Sequence, residues 1–139
     1  MRIDTIDIRD IIPQRAPLLL VDCLLTYDDV ASEATLLVRR DNPFVEETLS
    51  VAGLVEHVAQ ACAARIGYYN KFVLHRDISI GYVGAIRNFV VHRQPGVGEV
   101  LQTRIEVLSS AFGLSLVHAT VRTAHGEMVA EGEMKIAES

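Results

Sequence analysis

The chain has 139 residues, half of them hydrophobic and 22% charged, with 9 glycines, 4 prolines and a mean hydropathy of +0.25. This composition predicts one globular domain over 1–139 and excludes disordered, collagen-like and low-complexity chains. A net charge of -5, from 13 Lys and Arg against 18 Asp and Glu, lacks the basic footprint of a nucleic-acid binder.

Before Leu18 the chain carries Asp4, Asp7, Arg9, Asp10 and Arg15, which reads as neither a signal peptide nor a membrane span. Leu18 to Tyr27 is rich in branched apolar residues, Asp28-Asp29 is a turn, and Ala34 to Val38 resumes an extended pattern, which together predict a hairpin. Asp41 to Glu47, with Pro43, reads as a loop leading to Ser50, the expected N-cap of a helix over about 51–68. The second half is β-rich at Ile78 to His92, Glu99 to Ser109, Phe112 to Ala124 and Met128 to Ile136. Its turn signals are Gln94-Pro95-Gly96-Val97-Gly98 and His125-Gly126. Thr103, Ile105 and Val107 alternate with Gln102, Arg104 and Glu106, so one sheet face is dry and the other wet. An antiparallel sheet wrapped around one long helix is an α+β layout.

The helix is unusual in composition. From Val51 to Ala64 only Glu56, His57 and Gln60 are polar, the mark of a buried helix. At about 100° per residue, Gly53, Glu56, Gln60 and Ala63 share one stripe, expected to floor a narrow tunnel. A carboxylate buried there must find a donor, take a proton, or face a cavity. Pairing with a sheet arginine is the purely structural alternative. His57 lies about 100° from Glu56, a direction that suits a structural partner better than catalysis, though it stays a candidate catalytic group. His75, His92, His118 and His125 fall in loops or on polar faces. Cys23 and Cys62 are too few for a disulfide framework, so a reducing, cytoplasmic setting is expected. Cys62 reads as core, no cluster has metal-ligand spacing, and no metal or cofactor is expected.

Three segments resemble the β-hydroxyacyl-acyl-carrier-protein dehydratases: Ile12-Pro13-Gln14-Arg15-Ala16-Pro17-Leu18-Leu19-Leu20-Val21-Asp22, Leu54-Val55-Glu56-His57-Val58-Ala59-Gln60-Ala61, and the turn Gln94 to Glu99. The resemblance implies a hotdog fold, a dimer with its sheets side by side, and removal of water from 3-hydroxyacyl thioesters in fatty-acid or polyketide-like biosynthesis. Matching residues gives Glu56 the acidic role. The family's histidine falls on Asn42, its aromatic-proline order is reversed at Pro43-Phe44, its helix-start glycine is Val51, and Gln14 stands where it has a non-catalytic histidine. In these departures the chain is similar to a divergent branch associated with aryl-polyene and related pigment pathways, some members of which pair with a histidine-bearing hotdog subunit.

On this reading Glu56 protonates the leaving hydroxyl, Gln60 orients that carboxyl or a water, and the backbone N–H groups near Ala52 and Gly53 hold the thioester oxygen. The expected partners are an acyl carrier protein or acyl-CoA substrate and a second subunit, identical in a homodimer or higher homo-oligomer, or different in a heterodimer. Arg39, Arg40, Arg87 and Arg93 are candidates for the basic patch that an acidic carrier needs. Two other functions fit the same residues: a thioesterase using the helix carboxylate, and a non-catalytic or half-site subunit that lends Glu56 to a histidine-bearing partner.

Overall fold

Residues Val51–Tyr68 form the helix α1 in the computed structural model, which describes residues 3–79 and 81–138. The start is where the cap chemistry puts it. Ser50 is extended and its Oγ accepts the Gly53 N–H at 3.1 Å. At its far end α1 runs into a π-helical turn, Tyr69–Val73.

Six strands form one antiparallel sheet: β1 (Cys23–Tyr27), β2 (Ala31–Leu37), β3 (Gly81–Val91), β4 (Val100–Ala111), β5 (Leu114–Thr123) and β6 (Met128–Glu138). Their order is β1-β2-β4-β5-β6-β3, which leaves β1 and β3 at the edges. This is the expected α+β hotdog architecture, with the sheet wrapped around α1. The alternation on β4 holds, with Thr103 and Ile105 buried against the helix and Gln102, Arg104 and Glu106 turned outward. Leu54, Val58 and Ala61 meet Ala34, Leu36, Leu101, Ile105 and Val121 in a core cluster. Burial on this scale supplies the main stabilising term, roughly 25 cal/mol for each Å² of apolar surface removed from water.

The expected hairpin starts late. The composition of Leu18 to Asp22 predicts strand, but β1 begins only at Cys23. The preceding segment is instead a strap laid antiparallel along α1, with the Ile11 backbone crossing at Gly67 and the Leu18–Leu20 backbone reaching Gln60 and His57. Ile3, Ile8, Ile11, Ile12, Leu20 and Val21 are buried beneath it. A strap and a core strand both need apolar residues, so composition alone did not separate them.

The second difference lies at Phe112, expected to open a strand. Ala111 pairs with Leu114, and Phe112 (φ 55°) and Gly113 (φ 74°) form the two-residue turn between β4 and β5. Such turns require positive φ at both central residues, a conformation costly for phenylalanine. The strand expected over Ile78 to His92 is observed from Gly81 to Val91; within that expected range Ile80 lies outside the described residues.

A methyl group at Gly67 would land on the Ile11 carbonyl. Gly67→Ala is therefore expected to push the strap off the helix and cost about 3 kcal/mol, the upper range for overpacking. A urea midpoint shift shows it; an unchanged midpoint would mean that the strap is not held at this crossing.

Candidate functional site

The surroundings of α1 divide its surface into three. One side packs on the sheet, and a second, carrying His57, Gln60 and Gly67, is covered by the strap. The remaining stripe, Val55, Glu56, Ala59, Ala63 and Ile66, is only partly buried. At about 100° per residue these five fall within roughly 100° of arc. It is apolar apart from Glu56. Beside it lies the edge strand β3, where Gly81 approaches Ile66 and where Tyr82, Val83, Ile86 and Val90 are exposed by 40 to 57%. A long edge strand with exposed apolar side chains, next to a half-covered apolar helix face, is a surface shaped to be covered.

The expected tunnel-flooring stripe is thus rotated. Gly53 does not line an opening: a Cβ there would meet Leu49 Cδ1 at 2.5 Å and Phe44 Cβ at 2.7 Å, so its smallness admits the loop before the helix. Gln60 is fully buried under the strap. Only Glu56 and Ala63 of that set face the open stripe.

Gln60 is saturated. Its Oε1 accepts the Leu20 N–H at 2.6 Å, and its Nε2 donates to the Leu18 carbonyl at 2.8 Å and to Glu56 Oε1 at 2.9 Å. The strap therefore sets the amide, and the amide aims the carboxyl. Glu56 is half-buried rather than enclosed, so the dry surroundings expected for it exist only when something covers the stripe.

His57 faces away from Glu56. Its Nδ1 lies 2.7 Å from the Leu20 carbonyl, which only accepts, so Nδ1 carries the proton and Nε2 accepts the Thr103 hydroxyl, also at 2.7 Å. The ring is fully buried and both nitrogens are used, so the imidazole joins strap, helix and sheet. At the helix start the Gly53 N–H, one expected oxyanion donor, belongs to the Ser50 cap. Val51 and Ala52 are exposed, and their N–H groups have no partner among the described residues.

Asn42, at the position where the resembled family has its histidine, holds its own loop together. Its Oδ1 accepts the Phe44 N–H at 2.8 Å and its carbonyl accepts the Val45 N–H at 2.9 Å. Of the arginines expected to greet a carrier, Arg39 pairs with Asp22, Arg87 with Glu133, and Arg93 with Glu99 and Glu127. The Arg93 guanidinium holds the Glu99 carboxyl down at about 2. Arg40 alone of the four has no carboxylate partner among the described residues. Burial pushes the Cys62 thiol up to about 12, which suits core and not a nucleophile. The described residues hold no group of three or more potential metal ligands and no helix long and apolar enough to cross a membrane.

Burial holds the His57 imidazole below its usual pKa, against the opposing pull of the Asp22 carboxylate. The unfolded chain takes a proton near pH 6.5 that the folded chain refuses, so this stability is present above about pH 6.5 and is lost as the pH falls below it. Unfolding free energy should fall by about 1 kcal/mol between about pH 7 and about pH 5.5 from this group, while the His57 ring resonances stay in the neutral form. A ring that titrates at its ordinary value would overturn the assignment.

The family model of the ApeP dehydratases, ApeP-like, matches residues 6–139. No curated protein matches the sequence. Among solved structures, the dehydratase heterocomplex ApeI:P from Xenorhabdus doucetiae superposes with a TM-score of 0.87 at 18% identity, covering 96% of this chain and 91% of that one. A hypothetical thioesterase from Streptococcus pneumoniae, solved with coenzyme A, reaches 0.65 at 10% identity over 84% of each chain. The PaaI protein from the phenylacetic acid degradation operon of E. coli reaches 0.65 at 12% identity, over 82% of this chain and 80% of that one. These likenesses establish the hotdog fold; the family match extends over almost the whole length, and the chain belongs to the ApeP-like dehydratase family.

Proposed function

We propose that this chain is the carboxyl-bearing subunit of a two-subunit dehydratase that converts 3-hydroxyacyl thioesters on an acyl carrier protein into 2-enoyl thioesters. The observation that carries the reading is the absence of a usable imidazole beside Glu56 among the described residues. His57 is enclosed and doubly bonded, and Asn42 is spent on its loop. Neither residue is free to serve as the base within this chain.

Elimination needs three groups. A base removes the α-proton, an acid protonates the departing β-hydroxyl so that it leaves as water, and a donor steadies the enolate-like oxygen; together they must lower the barrier by at least about 8 kcal/mol. Glu56 supplies the acid, held through Oε1 by Gln60 so that Oε2 meets the hydroxyl. The N–H groups of Val51 and Ala52 at the start of α1 steady the thioester oxygen, one position earlier than the Gly53 donor read from the sequence. The partner supplies the base. Its docking over β3 and the open helix stripe removes water from Glu56, the step that turns an accessible carboxyl into an effective acid. The heterocomplex known for ApeI:P supports this arrangement. With three of the four expected arginines tied to carboxylates, carrier docking falls to Arg40 and the partner subunit.

The test is a mass-detected assay with 3-hydroxyacyl carrier protein, run on this chain alone, with a histidine-bearing hotdog partner, and with the Glu56→Gln variant in that pair. Expected are no turnover alone, turnover with the partner, and a loss of at least about a hundredfold in the variant pair, the usual worth of a positioned acid. Turnover by the isolated chain, or full activity in the variant pair, would overturn the proposal. Release of free thiol without a change in acyl saturation would assign the site to thioester hydrolysis instead.

A further inference from the structure

We propose that Ile66 is the specificity-determining residue of the Glu56 site, limiting its substrates to 3-hydroxyacyl thioesters of up to about twelve carbons. This inference rests on the dehydratase reading above and names the substrate class of that same site. With the thioester oxygen at the Val51 and Ala52 N–H groups and the hydroxyl at Glu56, the acyl tail has one way to continue, along α1 towards its C-terminal end. Ala59 and Ala63 offer only methyl groups to that path, and the first large side chain on it is Ile66. Ile66 lies ten residues beyond Glu56, about 15 Å along the helix axis. Subtracting about 4 Å for van der Waals contact leaves about 11 Å, room for about nine carbons beyond the one that bears the hydroxyl.

Ile66 is also the one residue, among those described, that belongs both to the open stripe and to the wall of a cavity behind it. That cavity, of about 40 Å³, lies between α1 and the sheet, where Cys62 faces Val117 and Ile136 and where Arg65 and Ser115 are the polar borders. A Cβ on Gly81 of β3 would meet Ile66 Cδ1 at 3.6 Å and Ile136 Cγ2 at 3.4 Å, so the Ile66 side chain stands at the margin between β3 and the cavity. An alkyl tail that reaches Ile66 therefore stops against a side chain with unfilled apolar space behind it. Truncating Ile66 joins that space to the stripe and lengthens the path. Bulk added at Ala63, one turn earlier, shortens it.

The test pairs the Glu56→Gln chain with a histidine-bearing hotdog partner, so that substrate binds with little conversion. Affinity is then measured for 3-hydroxyacyl carrier proteins of even chain length from six to sixteen carbons, while the unaltered pair is assayed for turnover of the same series. Expected is a gain of about fourfold for each added CH₂ up to about twelve carbons, and none beyond. Ile66→Ala should move this break outwards by about two to four carbons and Ala63→Leu should move it inwards by a similar amount, both leaving six-carbon binding within about twofold. A series without a break, a break that either folded variant leaves in place, or no binding at any length would overturn the assignment. A break that moves in both directions while the unaltered pair forms no enoyl product would support Ile66 as the limit and overturn dehydration, so the two readings fail separately.

Discussion

Two polar side chains placed in an apolar helix must be satisfied without water, and the rest of this molecule is arranged around that requirement. Leaving a buried amide or imidazole unpaired costs about 1–3 kcal/mol for each group. Gln60 and His57 are paid off by the strap backbone, through the Leu18 and Leu20 carbonyls and the Leu20 amide, with Thr103 closing the set from the sheet. These bonds join residues 37 to 46 positions apart in sequence. They therefore hold three elements in one register, which apolar contact alone, being non-directional, does not do.

The same bonds explain where the chemistry can be. Because strap and sheet cover two sides of α1, the carboxyl of Glu56 has one direction left, and Gln60, immobilised from behind, fixes its aim. The carboxyl of Glu56 is thus braced, while Asn42, where the resembled family has its histidine, is folded into a turn of its own loop. Restoring an imidazole at that position would remove the Phe44 N–H from its acceptor, so the loop and the base are alternatives for one residue. Beside this face, β3 leaves apolar side chains uncovered along the edge of the sheet.

Much of the fold was legible in the residues because local rules decided it. The cap at Ser50, the helix to Tyr68, the Asp28-Asp29 turn and the wet and dry faces of β4 all depend on neighbours a few positions apart. The contact between Gln60 and Glu56 was legible for the same reason, since the two sit one turn apart. What escaped depended on distant contacts. The strap has the composition of a strand, the smallness of Gly53 serves Leu49 and Phe44, and the direction of the open stripe is set by which sides of α1 the strap and sheet happen to cover.

Phe112 and Arg65 escaped for another reason: each violates the rule that would have predicted it. A phenylalanine at positive φ and a buried guanidinium nitrogen without a hydrogen-bond partner both cost free energy in the folded chain. Sequence patterns describe what favours folding, so a residue that opposes it is invisible to them. At Phe112 the cost buys a fully exposed aromatic ring at a hairpin tip. At Arg65 two backbone carbonyls and the Tyr27 ring hold the guanidinium, and the nearby Asp28 and Asp29 carboxylates offset its charge.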